Sequence, residues 1–209
     1  FLISNNAIAG GHVYSGFPVT EKSYTGDKKT SVSYTGQIAR HLLHDSLKKL
    51  AVSGNGKENA DLKKKMLSYY NEKDPGRAIL APKTKGPFIV KQSNVDEISK
   101  GKNLAGKTYK GIITGMPNGM TGIELVNFWI DKASSANKGV DTVNGYNYGQ
   151  LISKFIMGAI SYNQAVDNYL DEKLSADNKP NDKPYKKGAA YTGKEHSWDC
   201  LLYTSPSPR

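Results

Sequence analysis

At 209 residues, with 37% apolar side chains and 21 glycines, the chain has the composition of a globular domain and not of a disordered one. Its formal charge of +10 is carried almost wholly by lysine, and only Arg40, Arg77 and Arg209 are arginines. The planar fork that reads phosphates and guanine edges is therefore scarce, and nucleic acid is not an expected partner. No apolar run reaches the ~20 residues that cross a bilayer; the best, from Leu151 to Ile160, is short and contains Lys154.

Residues 1–33 are rich in Gly, Ser, Thr, Asn and Tyr, with turn signals at Gly10-Gly11 and Gly26-Asp27. They read as an irregular leader with short extended pieces. The first helix is expected from about Thr35 to Val52. Ile38, Leu42, Leu43, Leu47, Leu50 and Ala51 form its apolar arc; Gln37, His41, His44, Asp45 and Lys48 form the polar side. Gly54 and Gly56 stop it. A second helix follows from about Glu58 to Tyr70, and 71–76 is a turn by composition.

Residues 77–119 are the second long irregular region. Ile79-Leu80 and Phe88-Ile89-Val90 are short apolar pieces, and Ser93 or Asn94 caps a short helix reaching Ser99. A third helix is expected over about Thr121 to Ser135, opened by a Thr121–Glu124 capping box, with Ile123, Val126, Phe128, Trp129 and Ile130 giving core bulk. An Asn- and Gly-rich linker covers 137–147. The strongest periodicity lies in Tyr148–Leu174, whose apolar positions occupy well over half the circumference. It predicts a helix of about seven turns at the centre of a bundle, with Gly158 tolerated where a neighbour packs closely. After a solvated linker at 175–187, a last helix starts near Thr192.

Both ends read as cut. The chain opens on Phe1, so its natural start, with any export signal, is expected upstream. The string Cys200 to Arg209 resembles translated sequencing-adaptor DNA. The expected organisation is a leader at 1–22, one helical domain over 23–199 lacking its C-terminal part, and a non-native tail at 200–209 that includes the only cysteine.

Four histidines offer chemistry. His41 and His44 lie one turn apart, a spacing two metal ligands can use; the bland reading is two solvated side chains. His196 and Asp199, three apart, share a helix face and can bind a metal or exchange a proton. Against this, Trp198 packing inward at a helix start with its charges in water explains the same segment. Tyr162, Asn163, Gln164 and Asp167 interrupt the long helix with polar groups, which either line a ligand cavity with Trp198 or form a satisfied structural network. Phosphate-binding loops, dinucleotide fingerprints, zinc-protease helices, nucleophile elbows and Cys-x-x-Cys pairs are all missing, so no standard catalytic class is indicated.

Several stretches, in order, resemble one family. They are Ser31–Arg40 with its helix, Gly101-Lys-Asn-Leu-Ala-Gly106, Gln150–Leu170, Asp182-Lys-Pro-Tyr185 and Glu195-His-Ser-Trp-Asp199. Together they resemble the bacterial family catalogued as domain of unknown function 4856, across roughly 23–199. That family is similar to the imelysin-like helical bundles of the Gram-negative envelope, which are linked to iron acquisition. The resemblance implies an all-α bundle. It also implies a secreted, periplasmic or outer-membrane-anchored setting, and a small ligand, a metal ion such as iron, or an envelope protein as partner. The relatives' Gly-x-His-x-x-Glu motif is not kept: Gly193 is one position too far from His196, and Asp199 stands where the glutamate would. A non-enzymatic binding module is the leading expectation; a metal-dependent peptidase and a surface scaffold are the rivals.

Overall fold

The computed structural model describes residues 8–9, 12–13, 17–82, 91–116, 119–175 and 180–204. The Phe88–Val90 piece and the last five residues of the adaptor-like string lie outside that set, as does part of the Gly115–Gly119 turn. Two short antiparallel strands, β1 (Ile8–Ala9) and β2 (His12–Val13), lie in the leader.

Helix α1 (Thr35–Ala51) forms where expected. Its buried set includes Ala39, Leu42, Leu43, Leu47, Leu50 and Ala51, but also Gln37 and Ser46 from the side that reads as polar. The reason is that α1 is contacted on several sides, by α2 (Ala60–Tyr70), α3 (Gly122–Ser135), α4 (Tyr148–Ile156) and α5 (Gly193–Thr204), with Lys48 and Lys49 left exposed. The long C-terminal helix is flanked by several neighbours, as its periodicity predicts: its first part packs on α1 and α3 and its extension on α5. Helix α2 is capped by the Asn59 side chain, which accepts the Leu62 amide at 2.9 Å. The capping box of α3 is present, with Thr121 and Glu124 serving each other's amides. Leu43, Leu47, Met66, Leu104, Leu125, Ile130 and Ile152 meet in the main core. Phe128 is not among them. It is exposed on α3, with the Lys132 ammonium 5.4 Å from its ring centroid.

The stretch expected as a linker carries a small hairpin, β3 (Val140–Asp141) with β4 (Tyr146–Asn147). Gly139 makes this junction close: at φ +71°, a Cβ there would come within 2.4 Å of the Ala51 carbonyl oxygen.

From Tyr148 the chain runs helically to Lys173, as the periodicity predicts, but its pitch changes. After Ile156 the hydrogen bonding becomes π-type across Met157–Tyr162 and Gln164–Lys173. The Asn163 amide, for example, reaches the Gly158 carbonyl five residues back. The wider turn explains which side chains are inside. Ile156, Ile160, Gln164 with Ala165, and Tyr169 are buried at intervals of four and five, whereas Tyr162 and Leu170, apolar-face positions at α spacing, point outward. Gly158 is exposed and a Cβ there would meet nothing within 4 Å, so close packing is not the reason for that glycine.

The irregular region 91–116 is held by a buried ion pair. Arg77 and Asp96, both under 10% exposed, meet at 3.3 Å, and Arg77 also donates to the Glu72 and Lys102 carbonyls at 2.7 and 2.6 Å. Asn94 caps a 3₁₀ turn at Val95–Glu97, and a second such turn covers Ala105–Lys107.

Candidate functional site

The C-terminal end of the molecule gathers most of the candidate residues. Helix α5 opens with a second capping box: Thr192 Oγ accepts the Glu195 amide at 3.2 Å, and Glu195 Oε2 accepts the Thr192 amide at 2.8 Å. It packs on the π-helical extension through Cys200 and Leu201 against Ala165 and Tyr169, a small core separate from the main one. The helix continues through Thr204.

His196 and Asp199 do share one side of α5, but each has its own neighbours. Asp199 is buried and its Oδ2 accepts the Ser33 amide at 2.6 Å. His196 lies against two tyrosines, with ring centroids 4.8 Å from Tyr185 and 5.1 Å from Tyr191. Its Nε2 faces Cys200 Sγ at 3.8 Å, and its Nδ1 is buried without a well-formed hydrogen bond. Burial lowers the His196 pKa, against the opposing pull of Asp199. The Asp182–Tyr185 and Glu195–Asp199 motifs, 10 to 17 positions apart in sequence, are thus joined in space by the Tyr185–His196 contact.

A cavity of about 270 Å³ lies beside this pair. Its walls are Phe17 and Val32 from the leader, Leu174 from the end of the long helix, and Trp198 from α5; Lys194 and Asp199 add polar groups. Trp198 does not pack into a core. It is 47% exposed and lines the cavity. The leader segment that forms the opposite wall is pinned by Ser33 to Asp199, by Thr20 to Glu195, and by the Tyr34 ring stacked on Tyr203.

The other candidates fall elsewhere. His41 Nε2 donates to the Tyr203 carbonyl at 2.6 Å, and His44 Nε2 to the Ser153 carbonyl at 3.1 Å. The two imidazoles therefore tie α1 to two different helices. Burial lowers the His44 pKa. Of the polar group on the long helix, Tyr162 is exposed, Asn163 is half-buried, and Gln164 is buried, donating to the Lys107 carbonyl at 3.2 Å. His41, His44 and Gln164 line a second, smaller cavity together with Arg40 and Lys107. Arg40 and Lys107 did not stand out in the sequence. The available signal was an arginine inside the first helix of a chain otherwise charged by lysine. Among the described residues, no three His, Cys, Asp or Glu side chains come together in a way that would hold a metal ion, and no helix is long and apolar enough to cross a membrane.

No curated protein and no solved structure matches the chain. The family model described as domain of unknown function 4856 matches residues 130–204, which run from the end of α3 through the long helix and the whole of α5. That stretch includes His196, Trp198 and Asp199.

Proposed function

We propose that this chain is a ligand-binding helical module of the bacterial cell envelope, holding a small, mainly apolar molecule between its leader and α5. One observation carries the reading: the cavity of about 270 Å³ walled by Phe17, Val32, Leu174 and the half-exposed Trp198. Ligand sites are concave and mostly apolar with a few fixed polar groups, and run to roughly 300–1,000 Å³ for drug-sized molecules. This one therefore suits a fragment-sized guest, a single ring or a short aliphatic chain, with Lys194, Glu195 and Asp199 as the charged groups at its walls. Two of the residues singled out in the sequence, Trp198 and Asp199, belong to it. The envelope setting rests on the family resemblance and is tested by fractionating cells that express the complete gene.

The test uses the indole N–H resonances of the two tryptophans. Titration with indole and with hexanoate should shift the Trp198 signal and leave that of Trp129, buried in the main core, in place. Leu174→Trp, which fills the cavity, should abolish the response. No Trp198 shift with either probe or with a wider fragment set would remove the proposal.

A metal-binding reading is favoured by one feature, the His196 Nδ1, buried without a well-formed hydrogen bond three residues from Asp199. Against it stand the bond from Ser33 to Asp199 and the packing of the ring on two tyrosines. Calorimetric titration with iron, zinc and calcium discriminates: heat that disappears in His196→Ala would restore it.

A further inference from the structure

The second cavity, about 20 Å³, lies between α1, the Ala105–Lys107 turn and the π-helical extension, apart from the one under Trp198. It is small, with Leu104, Ile156 and Ile160 among its walls, and the polar groups that border it are incompletely satisfied. Arg40 donates from Nη1 to the Gly36 carbonyl at 3.3 Å and to Gln37 Oε1 at 3.1 Å, but its Nε is buried and has no partner. Gln164, only 6% exposed, uses Nε2 on the Lys107 carbonyl and leaves Oε1 buried and unpartnered. Thr204 Oγ, on another wall, is in the same condition. The volume admits one guest the size of a water molecule or a halide ion.

Charge decides between them. Arg40 and Lys107 both border the cavity, and Lys102 and Lys173 add positive potential at Lys107. Among the described residues none of these four makes a salt bridge; the two pairs present are Lys63–Asp131 and Arg77–Asp96. A water molecule would answer the hydrogen bonds and leave the charge. An anion would accept from Arg40 Nε, Lys107 Nζ and Thr204 Oγ together. It would leave only Gln164 Oε1 unserved, and a neutral acceptor left unpaired costs less than a half-buried cation left unpaired.

We propose that this cavity binds one small monovalent anion of halide size, held between Arg40 and Lys107. The site is independent of the ligand cavity beside Trp198, and either can fail without the other.

The test is a crystal of the full chain grown in sodium bromide, with the bromine located by its anomalous scattering. A peak within hydrogen-bond reach of Arg40 Nε is expected. Lys107→Met should remove it, and should weaken chloride binding in solution, read by chloride NMR line broadening, at least about tenfold. Arg40→Gln is the second variant: it removes the other cation that borders the cavity and should likewise expel the bromide. A density peak with no anomalous signal, or bromide confined to surface lysines, would overturn the proposal. Bromide that persists unchanged in both variants would overturn it as well, because occupancy would then not depend on the charge of the site.

Discussion

Asp199 Oδ2 accepts the backbone amide of Ser33 at 2.6 Å, a bond between the last helix and the segment that precedes the first. Charge-assisted bonds of this kind are short and are worth about 1.5–3 kcal/mol. Because Asp199 is buried, its loss is not made good by water. Asp199→Ala should lower the unfolding free energy by about that amount in urea, and Asp199→Asn, which keeps an acceptor, by less. The same variants should make the leader easier to cleave by protease, since its wall of the ligand cavity depends on this anchor. A leader as resistant as that of the wild type would disconnect the bond from the cavity.

The Arg77–Asp96 pair gives the second prediction. Both partners are almost fully buried, and Arg77 spans the turn after α2, the Val95–Glu97 turn and the loop at Lys102. Breaking such a pair strands one charge and costs about 3–5 kcal/mol. Arg77→Met is therefore expected to lower the melting temperature by roughly 10 °C or more. The double change Arg77→Met with Asp96→Leu should recover much of the loss, because it removes the charge left behind along with the bond. A single variant that melts like wild type would show that water reaches the pair.

These two bonds mark where sequence reasoning ran out. Helix positions were legible because Leu42, Leu43, Leu47 and Leu50 repeat at helical spacing, and because Thr121 and Glu124 state their capping role within four residues. Gln37 and Phe128 were placed on the wrong sides because a helical wheel shows which face is apolar, not how many neighbours the helix has. Gln37 is buried since α5 and the π-helical extension cover that side of α1, where its amide donates to the Tyr169 hydroxyl at 3.0 Å. The π pitch after Ile156 was illegible for a related reason: the assumed 100° per residue built an α face into the expectation. The Trp198 cavity required knowing that Phe17 and Val32 return to α5, a contact across more than 160 residues with no local signature.

The histidines predict an acid sensitivity. Burial is the leading cause lowering both His44 and His196 below the ordinary value of 6.5. The unfolded chain therefore binds more protons than the folded one in the window between 6.5 and the lowered native values. By linkage, stability is complete above about pH 6.5 and declines as pH falls through that window. Urea midpoints measured from pH 7.5 to about 5 should fall, and the double variant His44→Gln, His196→Gln should show a shallower slope. A midpoint that rises on acidification would mean the opposite shift.

Gly158 offers a gain in stability. It sits in the long helix without a positive φ, its surface is exposed, and a Cβ there would meet nothing within 4 Å. Glycine inside a helix costs up to about 1 kcal/mol against alanine, chiefly through the extra freedom of the unfolded chain. Gly158→Ala should thus raise the unfolding free energy by about 0.4–1 kcal/mol. Gly54 is the control. A Cβ there would lie 2.3 Å from the Ala136 carbonyl oxygen and 2.9 Å from that of Ala133, both backbone atoms that cannot swing aside. Gly54→Ala should therefore destabilise by about 1–3 kcal/mol, as overpacking does. If Gly158→Ala were instead destabilising by a similar margin, that face of the helix would have to be covered by something in solution, and denaturation of the two variants side by side reads the difference directly.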